Sequence, residues 1–272
     1  MVSTAQRDLD KVIADYQRDG AAVVRGLIDP KWIERMRLAI DEMIASPPPL
    51  LLAKDGGVQG SFMSRWNDTV QEFSRTSPLV DLAASAMASK SVRFFYDQLF
   101  VREPNSHGTT PLHQDLSYWP LTGRQIVSIW VPFDHVSPDS GVVSYVKGSH
   151  DWDTLYRSAP FSAGDPVIDQ PMPVLEDPER VIAENEVLAW ELAPGDVLMH
   201  APTTLHFAQR NSTGDRRREA VAFRYLGDDA RWLNRPGHFL GMSYFRECLP
   251  PFAFADGDIP RHDELFPVLR SN

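Results

Sequence analysis

The sequence predicts an α+β fold, with helices first and an antiparallel β sandwich or barrel after them. Three observations predict it. Up to about residue 90 the apolar residues recur mainly at helical spacing. From Val92 onward the chain turns to short runs rich in Val, Ile, Phe and Tyr. Those runs are separated by Gly, Pro, Asn and Asp, the residues of turns.

Taken in order, "STAQRDLDKVIADYQRDG" reads as a helix that opens on a capping box of Ser3 and Gln6 and stops at Gly20. "AAVVRGLI" reads as a short buried strand. "DPKWIERMRLAIDEMIAS" is an amphipathic helix with Asp29 as N-cap and Pro30 at its first position. "SPPPLLLAKDGG" breaks the pattern and is expected to be a loop. "SPLVDLAASAMASK" is a third helix. The strands are then "VRFFYDQLFVRE", "QIVSIWVPFDHV", "VVSYVKG", "GDVLMHA" and "EAVAFRYLG". The Pro-rich stretch from Trp152 to Glu186 has weak periodicity, and its length suggests a lid or binding loop. Residues 228–272 read as an irregular tail laid back on the rest. Nothing near residue 90 resembles a flexible linker, so the expectation is one domain over 1–272, with a helical cover (1–90), a β core (91–227) and the tail.

The 272 residues are 43% hydrophobic and 24% charged, an ordinary globular balance. No apolar run approaches the roughly 20 residues of a membrane span. A net charge of −10 speaks against a nucleic-acid surface. Cys248 is the only cysteine, the amino terminus lacks a secretory pattern, and "VLRSN" is not a peroxisomal address, so a cytoplasmic protein is expected.

One stretch stands apart. "TPLHQDLSYWP" sets His113 and Asp115 two positions apart in an apolar run, where ionisable groups are costly unless paired or metal-bound. In an extended strand both would face one side and Gln114 the other. One imidazole and one carboxylate are two corners of a 2-His-1-carboxylate site, which suits non-haem Fe(II). A histidine from another strand should complete it. His135 and His150 lie in turn-like segments, and His238 and His262 follow the strands. "APGDVLMHAPTTLHFAQRN" offers His200 and His206, with His206 after a tight corner and His200 as a core residue or support. Such iron sites often take a dicarboxylate co-substrate, whose far carboxylate suits a bidentate guanidinium. Of Arg216, Arg217 and Arg218, Arg218 begins the apolar alternation and is the one expected to point inward, with Arg217 as the alternative.

These motifs, with "GSH", "PGDVL" and "RREAVAF", resemble the phytanoyl-CoA dioxygenase family of Fe(II)/2-oxoglutarate oxygenases over roughly residues 15 to 227. The resemblance implies a double-stranded β-helix (jelly-roll, cupin-like) core with helices packed outside. It implies Fe(II), 2-oxoglutarate and O2 as cofactor and co-substrates, and His113, Asp115 and His206 as metal ligands. It implies 2-oxoglutarate contacts from Arg218, Trp130 and Arg102, with Gln98 and Thr204 as further donors. Gln114 matches the family's middle glutamine; it is expected in the substrate pocket with Tyr118 and Trp119, which stand near the ligands in sequence, and with Trp66. Two departures stand out: the His206 to Arg218 spacing is one residue longer than usual, and Ala208 replaces a serine found in some relatives. The carboxylate at Asp115 implies oxygenation rather than halogenation. The implied reaction is hydroxylation of a small molecule's C–H bond, releasing succinate and CO2, with no nucleic-acid or membrane partner. Desaturation or epoxidation on the same machinery, a zinc metallohydrolase and a non-catalytic cupin-like binding protein remain as rivals.

Overall fold

The computed structural model describes residues 4–157 and 170–271. Helix α1 (Thr4–Asp19) ends where expected, because Gly20 takes φ +81° and its N–H donates to Tyr16 O at 2.8 Å. Space enforces the choice as well: a Cβ on Gly20 would meet His150 Nδ1 at 2.5 Å. Ser3, of the expected capping box, lies outside the described residues. Strand β1 (Ala21–Val24) follows, then α2 (Pro30–Ala45), capped by Asp29, whose carboxylate accepts from Lys31 N at 2.8 Å.

The expected loop at 47–57 is corrected. Residues Leu51–Lys54 (β2) and Gly57–Ser61 (β3) form a hairpin closed by Asp55 and Gly56, both at positive φ. Asp-Gly is the two-residue turn that matches strand twist, and the triple proline before it hid the signal. A further helix, α3 (Asp68–Thr76), precedes α4 (Leu79–Met87); Asn67 caps it by accepting from Thr69 N and Val70 N. The remaining strands are β4 (Val92–Arg102), β5 (Thr110–His113), β6 (Leu121–Thr122), β7 (Ile126–Pro132), β8 (Val143–Val146), β9 (Val187–Leu188), β10 (Val197–His200), β11 (His206–Ala208), β12 (Arg218–Leu226), β13 (Arg231–Trp232) and β14 (Val268–Arg270). Helices α5 (Pro178–Glu184) and α6 (Ser243–Cys248) are short.

Among the described residues the larger sheet runs β1-β10-β7-β12-β4-β3-β2, with β14 also on β4, and the smaller runs β5-β11-β8-β9. The large and small sheets form the jelly-roll of a double-stranded β-helix. Because β1, β2 and β3 belong to the large sheet, the segment before residue 90 is not purely a helical cover. The outer face of that sheet is apolar and packs on the helices. Ile129, Val131, Val221, Phe223 and Leu99 join Met36, Ile40, Phe73 and Leu79 in one buried cluster, with the Phe73 and Phe223 ring centres 5.2 Å apart. Each such side chain stabilises the fold by about 1.5–3 kcal/mol. The tail is more than a wrap, since β14 adds to β4 and Phe266 is fully buried.

The lid expectation falls partly outside the described residues, at 158–169. Where the segment is described, α5 brings Val181 and Ile182 against Leu112, Val146 and Leu205, and none of it lines the cavity below. Among the described residues no helix is long and apolar enough to cross a membrane.

Candidate metal centre and cofactor pocket

His113 closes β5, and Gln114 continues extended (φ −118°, ψ 129°), which brings Asp115 to the same side. Asp115 is not itself in a strand, however: it opens a 3-10 turn, Asp115–Tyr118. His206 opens β11 directly opposite His113 in the smaller sheet, with the two rings 4.1 Å apart. One ligand-capable atom from each of His113, Asp115 and His206 lies within 4.8 Å of the others, and all three residues are buried.

The hydrogen bonds settle which atoms face inward. His113 Nδ1 lies 2.8 Å from Pro111 O, and His206 Nδ1 lies 2.9 Å from Thr204 O. A carbonyl only accepts, so both imidazoles carry their proton on Nδ1 and present Nε2 lone pairs. Those Nε2 atoms stand 3.5 and 3.8 Å from Asp115 Oδ1. Three electron-pair donors converge without a proton to share among them, an arrangement a bound cation relieves. His200 is oriented oppositely: its Nε2 donates to Asp115 Oδ2 at 3.4 Å, beside Ser128 Oγ at 3.0 Å. Tyr118 O–H donates to Asp115 Oδ1. His200, Ser128 and Tyr118 therefore orient the carboxylate, the supporting arrangement that tunes metal sites.

Protonation agrees with this geometry. Burial pushes the Asp115 carboxyl up, but His113, His200, His206 and Arg224 outweigh it and hold the group well below the usual carboxylate range. Burial, then the neighbouring imidazoles, holds His206 well below its ordinary value. Burial also lowers His200, partly offset by Asp115. Neutral imidazoles beside an ionised carboxylate are the forms that bind metal.

Beneath the three residues lies a cavity of about 730 Å3. Its floor is the inner face of the large sheet, where register stacks side chains in rows. His200, Ser128, Arg224 and Tyr96 form one row across β10, β7, β12 and β4. Leu198, Trp130, Ala222 and Gln98 form the next. Arg218 faces Arg102 at the far end.

Arg218 is 3% exposed, and its Nε finds no acceptor. Among the described residues its one side-chain hydrogen bond is a long one, Nη1 to Phe100 O at 3.4 Å, and its guanidinium sits 5.6 Å from the Trp130 ring centre. Burial and the charge of Arg102 push its pKa well down. Asp134 offsets this only at a distance; among the described residues no carboxylate forms an ion pair with Arg218, and it lines a cavity that can admit one. Arg217, the alternative, turns away and pairs with Asp41, Glu103 and Glu219. Arg102 lines the cavity, donating to Thr110 Oγ1 at 2.9 Å and to Gln209 O, and burial lowers its pKa to about 10. Gln98 and Trp130 also line it.

Several expected pocket residues lie elsewhere. Thr204 donates its hydroxyl to Gly20 O at 2.7 Å and is fully buried away from the cavity. Gln114 ties loops together, donating to Thr203 O at 2.7 Å and accepting from Tyr156 N at 2.9 Å. Trp119 packs behind the site and donates to Tyr96 Oη at 2.9 Å. Trp66 packs against the helical core. Of the four expected substrate contacts only Tyr118 lines the cavity. Sequence reasoning missed Ser128, Tyr96, Arg224, the β2–β3 hairpin and the tail residues Phe239, Met242 and Phe245. A signal existed for Arg224: in "REAVAFRYL" it stands on the period-two row of Arg218, Ala220 and Ala222.

Comparison with known proteins adds the following. The sequence model of the family described as Phytanoyl-CoA dioxygenase (PhyH) matches residues 16–219. The peroxisomal phytanoyl-CoA dioxygenase of Rattus norvegicus is 23% identical over 240 residues, covering 82% of this chain and 69% of that protein. Its Homo sapiens counterpart is 21% identical with the same coverage. Among solved structures, the epimerase SnoN in complex with Fe3+, alpha ketoglutarate and nogalamycin RO superposes with a TM-score of 0.76 at 21% identity, covering 97% of this chain and 99% of that one. The carbocyclase SnoK gives 0.74 at 20% identity (98% and 96%). EctD from S. alaskensis with 2-oxoglutarate and 5-hydroxyectoine gives 0.68 at 16% identity (96% and 88%). At these identities the structural likeness speaks to the fold.

Proposed function

Because the chain belongs to the phytanoyl-CoA dioxygenase family, we propose that it is an Fe(II)- and 2-oxoglutarate-dependent dioxygenase that hydroxylates an aliphatic C–H bond of a small molecule. His113, Asp115 and His206 hold the iron, and Arg218 holds the distal carboxylate of 2-oxoglutarate. The observation that carries this reading is the pairing of two features in one cavity: three converging donors, and a buried guanidinium that forms no ion pair with a carboxylate among the described residues. Held by His113, Asp115 and His206, iron would supply the oxidising chemistry that couples decarboxylation of 2-oxoglutarate to succinate and CO2 with transfer of one oxygen atom of O2 to the substrate and the other to succinate.

The chain's own residues do the rest. Pro111 O and Thr204 O fix both histidines in the Nδ1–H form, so that Nε2 binds without first losing a proton. Ser128, His200 and Tyr118 fix Asp115 and occupy its remaining lone pairs. Trp130 and Phe100 wall the path from the metal to Arg218 and keep water from it. Arg102 adds charge at the same end. The carboxylate of Asp115 fills the position that a halide would need, which favours oxygenation. Helices, both sheets and tail serve one catalytic domain. The Rattus norvegicus and Homo sapiens relatives are named as peroxisomal; for this chain the single cysteine favours a reducing compartment such as the cytoplasm.

Anaerobic titration with Fe(II) and 2-oxoglutarate tests the reading. A weak visible charge-transfer band is expected. Its absence, with zinc copurifying instead, would favour a hydrolase. Product mass separates hydroxylation, which adds an oxygen atom, from desaturation, which removes two hydrogens.

A further inference from the structure

Arg218 accounts for one buried guanidinium, but the cavity holds a second. Arg224 is 3% exposed and lines the cavity. Its Nη1 donates to Ala222 O at 3.2 Å and its Nη2 to Gln98 Oε1 at 3.0 Å, while Nε finds no acceptor. Among the described residues no carboxylate forms an ion pair with it at 4.0 Å or less. The Tyr96 and Trp119 rings, 4.4 and 5.8 Å from its central carbon, fix its plane. Burial works against its charge, but Tyr96, Asp115, Tyr118 and Asp97 outweigh that at longer range, neither carboxylate pairing with it directly. A purely structural arginine this deep normally carries a paired carboxylate. This one faces open space.

Charge and position define what that space takes. The cavity walls carry Lys54, Arg102, Arg218 and Arg224 against Asp55 and Asp115, a formal charge of +2 in a chain of −10. Fe(II) and the 2-oxoglutarate dianion cancel, so the loaded cavity keeps its positive excess. Arg224 shares its row with Ser128 and His200, the two residues that hold Asp115 Oδ2, so it stands at the metal end. Arg218 lies six residues away along β12, about 20 Å of strand. The distal carboxylate of 2-oxoglutarate is assigned to that far end and its near carboxylate to the metal. Arg224 is left for another molecule.

Much of the rest of the cavity is apolar, walled by Leu50, Val58, Phe207, Phe239, Met242 and Phe245. Gln59, Ser61, Thr109, Thr110 and Ser243 are uncharged polar spots among them. Its volume of about 730 Å3 exceeds what a five-carbon co-substrate fills and suits a mid-sized molecule. At the rim the one lysine, Lys54, stands next to Asp55, which is too little positive charge for the phosphates of a CoA ester. Resting on the oxygenase reading above, we propose that Arg224, with its Gln98 partner, anchors a carboxylate of the substrate. The substrate class is then a free monocarboxylic acid with an apolar body, rather than its CoA thioester.

The test uses the anaerobic protein loaded with Fe(II) and 2-oxoglutarate. Octanoic, decanoic and naphthoic acids are titrated against their primary amides, methyl esters and CoA thioesters, with calorimetry and perturbation of the charge-transfer band as readouts. The acids are expected to bind at least about 30-fold more tightly than the neutral analogues, the scale of a buried charge pair. Arg224→Gln should erase that preference, and Arg224→Lys should keep a weakened one. Equal binding of acids and neutral analogues by the wild type overturns the proposal, as does tighter binding of the thioesters or failure of every acid to bind. These outcomes need no variant to fold. If Arg224→Gln instead raises the 2-oxoglutarate midpoint as far as Arg218→Gln does, Arg224 serves the co-substrate and the proposal fails. A wild type with no charge-transfer band sinks the oxygenase reading itself, whereas a normal band without acid preference sinks only the inference.

Discussion

Arg218→Met should raise the melting temperature of the protein free of 2-oxoglutarate and abolish the stabilisation that 2-oxoglutarate provides. Arg218 is a buried cation with no ion-paired carboxylate among the described residues, held there by a long bond to Phe100 O and the Trp130 face. Replacing buried ionic groups with apolar ones of similar volume is often neutral or stabilising, by up to about 1–4 kcal/mol. Losing the Trp130 contact takes back about 0.5–1 kcal/mol. The net gain is about 1–3 kcal/mol, which raises the melting temperature by roughly 2–10 °C in a chain of this size. Ligand binding moves the other way. Losing a bidentate partner in a buried site costs about 2–5 kcal/mol, or roughly 30- to 4,000-fold in 2-oxoglutarate affinity. At a hundred times its dissociation constant, 2-oxoglutarate stabilises the wild type by about 2.7 kcal/mol. The variant gains little at that concentration, so its advantage shrinks or reverses as 2-oxoglutarate is added. Thermal melts with Mn(II) in place of iron, across a 2-oxoglutarate series, read both effects. A variant that melts lower without ligand, yet gains the wild-type increment with it, would refute the assignment.

Other expectations follow from the same geometry. His206→Ala should abolish Mn(II) binding in calorimetry, whereas His200→Ala, which removes only a support of Asp115, should weaken it by about 10- to 100-fold; the reverse order would make His200 the ligand. For metal-free protein, burial depresses His200 and His206, so the unfolded chain takes up protons from about pH 6.5 downward before the folded one does. Stability is then full above that pH and falls below it, with a slope approaching two protons, while Asp115 adds its loss only below about pH 4. Urea midpoints that do not change between about pH 7.5 and pH 5.5 would contradict this. Gly57→Ala should cost at least about 1–3 kcal/mol, because a Cβ there would lie 1.9 Å from Val101 O and pry the β2–β3 hairpin from β4; an unchanged urea midpoint would show that the backbone yields.

The order of helices and strands was legible because local signals carried it. Asp29 and Gly20 act at their own positions, and the β-branched runs became strands. The hairpin at 51–61 was masked by three prolines, although its Asp-Gly turn was in view. The pair His113 and Asp115 could be read from spacing, since an extended Gln114 keeps the i, i+2 relation even where the strand ends. Residues whose role depends on register between distant strands were beyond reach. Ser128 meets Asp115 only because β7 pairs with β10 and β12, and no local pattern encodes that pairing. Thr204, Trp119 and Gln114 misled for the opposite reason: adjacency in sequence to His206 and Asp115 does not keep side chains on one side once the chain turns.

The large sheet shows why a polar pocket can exist so deep in the fold. Along β12 the outward residues Val221, Phe223 and Tyr225 pack on the helices, while the inward row is Arg218, Ala220, Ala222 and Arg224. The small Ala222 leaves space that the cavity occupies, and the arginines mark its two ends. Burying those arginines, with Ser128 and His200 across the sheet, lowers stability in the protein without ligands. Apolar packing on the outer face offsets that loss, and the carboxylates proposed to bind there would relieve it. The same strand therefore serves folding with one face and binding with the other. It follows that substitutions on the two faces should separate: Phe223→Ala should cost about 3–5 kcal/mol with 2-oxoglutarate affinity nearly unchanged in whatever protein remains folded. Changes at Arg218 should do the reverse. Loss of affinity in folded Phe223→Ala, measured by calorimetry below its melting range, would mean that the two faces are coupled through the strand.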